Sequence, residues 1–132
     1  MKRLLLLSAA AVLAPFALAA PAHADANGLG CEVIGNTTFS IGAFSTTTCF
    51  PAGPDSSYVL DYATSVNAAS YSWTVPSGVS VVAGCNATSP FCDLLYRSRP
   101  ADRDITVTVQ ASGASPSSVT AEIPAVCGKF FC

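Results

Sequence analysis

The chain has 132 residues and carries six Lys and Arg against eight Asp and Glu, a formal net charge of −2. This length fits one domain. The slight acidic excess excludes the concentrated positive face that binding to nucleic acid requires.

The first 24 residues have the pattern of a secretory signal peptide. A basic start, MKR, precedes an apolar run, and the small residues of AHA end at Ala24. We predict cleavage after Ala24 and a single secreted domain of residues 25–132, extracellular or periplasmic, without a membrane span. Lipidation at Cys31 is the alternative. It is disfavoured because Leu29 stands two residues before the cysteine rather than three, beyond a polar segment.

The predicted mature chain lacks the side chains on which most catalysis at neutral pH depends. The only histidine, His23, lies in the signal peptide. Without an imidazole, the mature chain holds neither a Ser-His-Asp nor a Cys-His arrangement, and it lacks the commonest metal ligand. Removal of Lys2 and Arg3 leaves four basic residues against eight acidic ones, a net charge of −4. We predict a protein that is not an enzyme and that holds no metal and no cofactor.

The six cysteines all lie in the predicted mature chain, as expected of a small exported domain with disulfides. Two pairs are close enough in sequence to close short loops, each worth about 2–3 kcal/mol in the chain-entropy model. The main alternative joins one of the two N-terminal cysteines to the C-terminal pair. The preferred pairing is Cys31 with Cys49, Cys85 with Cys92, and Cys127 with Cys132.

Residues 25–132 read as short strands separated by turn residues, with little helical periodicity. Ile105, Val107 and Val109 alternate with polar residues, which is typical of a half-buried antiparallel strand. Seven or eight such strands in so short a chain predict a β-sandwich. The predicted strands are Cys31–Gly35, Thr38–Ala43, Ser57–Ala63, Ser70–Val75, Val79–Ala83, Asp93–Arg97, Asp104–Ala111 and Ser117–Pro124.

Tyr71, Trp73 and Val75 share one face of a predicted strand. We interpret this face as core with Trp73 at its centre, because a platform for stacking sugar rings would not need Val75. The Pro76-Ser77-Gly78 sequence then predicts a tight hairpin to the next strand, and a second turn, Gly113–Pro116, links the last two strands.

The stretch PAGPDSSYVLDYATSVNAASYSWTVPSGVSVVAG resembles PKD-like, immunoglobulin-like domains of bacterial secreted and surface proteins, and DITVTVQASGASPSSVTAEI resembles their closing hairpin. The resemblance covers residues 51–123. It implies an all-β, immunoglobulin-like antiparallel β-sandwich of about seven strands, here disulfide-stapled, and a role in adhesion, scaffolding or glycan contact. The shared pattern Tyr-x-Trp-x-Val-Pro-x-Gly falls on Tyr71, Trp73, Val75, Pro76 and Gly78.

Two surface features are candidates for binding. Arg97, Arg99 and Arg103 lie close in sequence, and we weigh a site for an acidic glycan or a carboxylate against a self-neutralised loop. The second feature is the loop from Cys85 to Cys92, which we expect to expose Phe91 on a rigid support, and we weigh a protein-binding loop against a hairpin end that the disulfide only staples.

The sequence therefore predicts a small secreted, non-catalytic module that binds an extracellular protein or polysaccharide. One alternative is a secreted inhibitor of an extracellular enzyme that presents the loop between Cys85 and Cys92. Another is a carrier of a small ligand in a crevice between the sheets. Nucleic acid is not a predicted partner.

Overall fold

The computed structural model describes residues 28–132, which contain ten strands and no helix. The predicted signal peptide, residues 1–24, lies outside the described residues. The strands are β1 (Leu29–Gly35), β2 (Thr48–Cys49), β3 (Ser57–Thr64), β4 (Tyr71–Thr74), β5 (Ser80–Gly84), β6 (Phe91–Arg97), β7 (Arg103–Ala111), β8 (Ser117–Ile123), β9 (Val126–Cys127) and β10 (Phe130–Phe131).

Eight strands form two four-stranded sheets packed face to face. Sheet I has the strand order β1-β3-β6-β5, and sheet II has the order β2-β8-β7-β4. Neighbouring strands are antiparallel except for β2 with β8. If β2 is set aside, the order matches the four-stranded and three-stranded sheets of a constant-type immunoglobulin domain. The prediction of an all-β, immunoglobulin-like sandwich is confirmed.

Two details of the predicted strands are wrong. Strand β4 pairs with β7 and β5 pairs with β6, so the turn between β4 and β5 crosses from sheet II to sheet I and does not close a hairpin. Its Pro and Gly residues reverse the chain, but they do not specify whether the two strands pair. The predicted strand Thr38–Ala43 is a loop segment that touches β1 through one isolated bridge, Ile34 with Ile41, and a second bridge, Cys31 with Ser45, lies just after it.

The core between the sheets is built around tyrosines. Tyr58, Tyr62 and Tyr96 are the largest fully buried side chains, whereas Trp73 is partly buried and packs against the core from β4. The central position predicted for Trp73 is therefore corrected, because β4 is an edge strand of sheet II. The other predicted core residues are buried (Tyr71, Ile105, Val107, Val109) or partly buried against the core (Val75).

The hydroxyls of Tyr58, Tyr62 and Tyr71 donate hydrogen bonds to backbone carbonyls. The Tyr62 hydroxyl donates to the Ile105 carbonyl at 2.8 Å and so connects β3 of sheet I to β7 of sheet II. Burial raises the pKa of Tyr62, which keeps the hydroxyl a donor at any working pH. Because this bond crosses the core, it adds a polar link to the apolar contacts between the sheets.

The preferred disulfide pairing is confirmed in all three cases. The first bridge joins β1 of sheet I to β2 of sheet II, with a Cα–Cα distance of 6.0 Å. The second closes the loop between β5 and β6, and the third closes the β9–β10 hairpin. The bridges are Cys31–Cys49, Cys85–Cys92 and Cys127–Cys132.

Candidate binding surface on sheet I

The outer face of sheet I carries three rows of side chains that run across its strands. Side chains alternate along each strand, so the neighbours of the buried Val33, Leu60 and Leu94 point outward. The strand register then aligns these outward residues. We name the isoleucine row (Ile41, Ile34, Val59, Leu95), the carboxylate row (Glu32, Asp61, Asp93) and the phenylalanine row (Phe44, Ala63, Phe91).

Two glycines make room for the phenylalanine row. A Cβ atom placed on Gly30 would lie 2.0 Å from the ring of Phe44, so this ring covers the outer side of β1. A Cβ atom on Gly84 would lie 2.8 Å from the ring of Phe91, which covers β5 in the same way. Ala63 lies between the two positions in the register. The row is therefore a low apolar ridge packed close to the backbone.

The carboxylate row places like charges on adjacent strands. Glu32 lies directly opposite Asp61, and Asp61 lies directly opposite Asp93. Burial first, then a hydrogen bond and the negative charge of Asp61, raise the pKa of Asp93 to about 7. Among the described residues, Oδ1 of Asp93 is a buried side-chain oxygen that lacks a hydrogen-bond partner. The row thus has more acceptor capacity than the protein's own donors use.

The apolar rows explain why these carboxyl groups lose water. Asp61 is flanked two residues away on its strand by Val59 and Ala63. Asp93 is flanked in the same way by Phe91 and Leu95. These side chains lie on the same face as the carboxyl groups and restrict the approach of water. The carboxylate row is therefore a charged line inside an apolar surface.

A preorganised loop extends the isoleucine row. The buried carboxylate of Asp55, 5% exposed, accepts the backbone N–H groups of Thr37 and Thr38 at 3.0 and 2.8 Å and both of their hydroxyls. Burial opposes ionisation, but these hydrogen bonds hold the pKa of Asp55 well below its usual value. Beyond them, Phe39 is 79% exposed at a φ of 54°, which is unusual for an aromatic residue, and Ile41 is 62% exposed.

The three arginines considered as a possible binding site have different neighbours in the structure. Arg97 lines a depression of about 300 Å³ together with Asn36 and Leu95, at the end of the isoleucine row. Arg103 donates to the Ser77 carbonyl, so its guanidinium supports the turn between β4 and β5. Arg99 is exposed. Only Arg97 therefore contributes to the surface on sheet I.

The loop between Cys85 and Cys92 is folded against the sandwich. The carbonyls of Ala87, Ser89 and Pro90 accept hydrogen bonds from Tyr71 N, Trp73 Nε1 and Thr64 N, each at 2.9 Å. The expected exposure of Phe91 is wrong, because its ring lies over Gly84 and the residue is partly buried.

The carboxylate row was missed by sequence reasoning, although part of its signal is visible. Asp61 and Asp93 each stand between apolar residues at two-residue spacing, a pattern that differs from the Thr-rich outward positions of β7 and β8. Their pairing depends on strand register, which only the fold supplies.

A second depression, of about 150 Å³, lies at the end of sheet II. Asp104 and Glu122 are directly opposite one another there, and Asp102 accepts the Ala125 N–H at 2.7 Å. Phe50, 51% exposed, forms the apolar part of the wall together with Ile123 and Pro124. This acidic pair provides a reference for the pair on sheet I.

Within residues 28–132, no group of three or more His, Cys, Asp or Glu side chains is placed to hold a metal ion. A search of the same residues finds no helix of the length and apolarity needed to cross a membrane. No protein-family model, curated protein or solved structure matches this chain.

Proposed function

We propose that this protein is a small secreted, non-catalytic binding module that contacts an extracellular protein through the outer face of sheet I. The observation that carries the proposal is the pair of apolar rows on that face. Single apolar residues on a surface are ordinary, but contiguous apolar rows in a polar frame are typical of interaction sites. The three disulfides and the signal-like N-terminal pattern support export.

A binding role fits the ionisable groups better than catalysis does. The carboxyl group with the raised pKa, Asp93, lies on an open sheet face rather than in a cleft that would enclose a substrate. The Asp55 carboxylate is already hydrogen-bonded to the backbone N–H groups of Thr37 and Thr38, so its role is to hold their loop in place. The resemblance to PKD-like domains, which covers Tyr71, Trp73 and Val75, also favours an extracellular module.

A protein partner has more support than a polysaccharide. The aromatic pair considered as a platform for sugar rings is not open to one, because Tyr71 is buried and the Trp73 indole packs against the core. The alternative of an enzyme inhibitor has less support, because three carbonyls of the loop between Cys85 and Cys92 are already hydrogen-bonded to the sandwich. A target enzyme would need that main chain free.

The test compares matched substitutions on the two sheets. Immobilised mature protein, residues 25–132, is exposed to secreted and cell-surface material as the wild type, as Val59→Lys and as Thr108→Lys. Both substitutions add one charge at an outward mid-strand position, on sheet I and sheet II respectively. We expect a discrete protein to be retained by wild type and Thr108→Lys but not by Val59→Lys. Equal retention by both variants, or retention of polysaccharide alone, contradicts the proposal.

A further inference from the structure

We propose that the partner inserts an arginine or lysine, flanked by apolar side chains, between the isoleucine and phenylalanine rows, where its charge pairs with Asp61 and Asp93. This inference rests on the proposed function and names the chemistry of the occupant. Charges across protein interfaces are arranged to be complementary, and burying a carboxylate row against a neutral surface would leave it unpaired. A cation is the occupant that removes this cost.

The spacing of the rows suits a long basic side chain. Arg and Lys place an aliphatic stem along apolar surface and keep the charge at its end. On sheet I the stem lies on Val59 or Leu95, and the cation reaches the adjacent carboxyl groups. An arginine has the further advantage of binding carboxylate oxygens in bidentate fashion.

A second copy of this chain does not fit the same face. A two-fold dimer places the same patch of both subunits in contact. The carboxylate rows would then meet, and the predicted mature chain already has a net charge of −4. Among the described residues, the one cation that the strand alternation places on this face is Arg97, and it lies beyond the isoleucine row. The occupant is therefore a different protein.

Proton binding competes with the cation. The ionisable groups on this face are Glu32 on β1, Asp61 on β3, and Asp93 and Arg97 on β6, whereas β5 and the loop segment 41–45 contribute none. Because the pKa of Asp93 is about 7, the pair holds a proton below that pH, and a bound cation must displace it. Affinity for the cation therefore rises as pH increases through 7.

The probe is a blocked nine-residue peptide of alternating leucine and serine with a central arginine on the leucine face. Its matched control carries citrulline, which keeps the shape of arginine but is neutral. We expect the arginine peptide to bind at least about tenfold more tightly than the citrulline peptide at pH 8, and the ratio to shrink at pH 5.5. Amide chemical shifts should move in β3 and β6.

Two double variants complete the experiment. Asp61→Asn with Asp93→Asn should abolish the preference for arginine, whereas Asp104→Asn with Glu122→Gln, the acidic pair on sheet II, should retain it. Equal binding of both peptides overturns the cation requirement but leaves docking on sheet I intact. A preference lost with the sheet II pair, or the same aspartate-dependent binding of a cationic glucosamine oligomer, overturns the proposed occupant. Failure of the proposed function itself would be seen separately, as equal retention of the partner by the Val59→Lys and Thr108→Lys variants in the capture experiment.

Discussion

The two sheets have similar inner faces and different outer faces. On sheet II, hydroxyls of adjacent strands hydrogen-bond to one another, Thr106 with Thr120 at 2.8 Å and Thr108 with Ser118 at 2.7 Å. The equivalent positions on sheet I carry apolar rows around carboxyl groups, with Val59 as a central member. The residues of the inner faces must be apolar because the two sheets pack against each other. The residues of the outer faces contact water and are not constrained by this packing. The apolar side chains on the outer face of sheet I, where sheet II has hydrogen-bonded hydroxyls, are the contrast that the proposed contact with a partner would explain.

The acidic pairs sharpen this comparison. Asp104 and Glu122 on sheet II, like Asp61 and Asp93 on sheet I, are direct cross-strand neighbours. The sheet II pair adjoins Thr106 on its strand, whereas Asp93 stands between two apolar side chains. The two pairs thus carry the same charge, one in polar and one in apolar surroundings, and each pair is a control for the other.

The largest expected effect separates the inner face from the outer face within one strand. Leu94 and Leu95 are adjacent on β6, but Leu94 is fully buried between the sheets and Leu95 is part of the outer isoleucine row. Leu94→Ala should lower the free energy of unfolding by about 2–5 kcal/mol, because it leaves a cavity. Leu95→Ala should cost about 1 kcal/mol or less. Denaturant titration measures both losses. Equal losses would mean that Leu95 is as buried within the protein as Leu94 and is not open to a partner.

The next effect concerns the loop that extends the isoleucine row. Asp55→Asn removes a charged acceptor from Thr37 and Thr38 and should cost about 1–3 kcal/mol. Since the pKa of Asp55 is lowered on folding, its contribution is complete above pH about 4 and is lost as pH falls below that value. The acid-induced decrease in melting temperature should therefore be smaller in Asp55→Asn. Asp102→Asn, the same exchange at an exposed side chain away from Thr37 and Thr38, is the matched control.

Part of this architecture is readable in the sequence and part is not. The alternation of Ile105, Val107 and Val109 predicts β7 because that signal is local, and the short cysteine spacings predict two bridges. The crossing between the sheets after β4 is not readable, since the Pro76–Gly78 turn serves paired and unpaired strands alike. The carboxylate row escapes prediction because Asp61 and Asp93 become neighbours only through the register of distant strands.

A smaller effect should appear in the pH dependence of stability. An acid whose pKa is raised on folding holds its proton more firmly in the folded protein, so raising pH from about 4 to about 7 destabilises the fold. Asp93→Asn should remove this loss and stabilise the protein at pH 8 by about 0.5–1 kcal/mol, the size of a cross-strand charge pair. Asp104→Asn should leave the decline between pH 5 and pH 8 in place. If Asp93→Asn retained the wild-type profile, Asp93 would not be the titrating group.

The smallest expected change in stability is that caused by substitutions at Phe39, the most exposed residue in the loop that extends the isoleucine row. Phe39 adopts a φ of 54°, which glycine tolerates and other residues adopt at a cost of about 1 kcal/mol. Phe39→Gly should therefore match or exceed the wild-type stability, whereas Phe39→Ala keeps the backbone strain without the ring. Both variants should bind the partner captured by sheet I more weakly. If Phe39→Gly were clearly destabilised, the ring would be supporting the fold. We expect instead that the Phe39 conformation lowers the stability of the fold and that the exposed ring makes its favourable contact with the proposed partner.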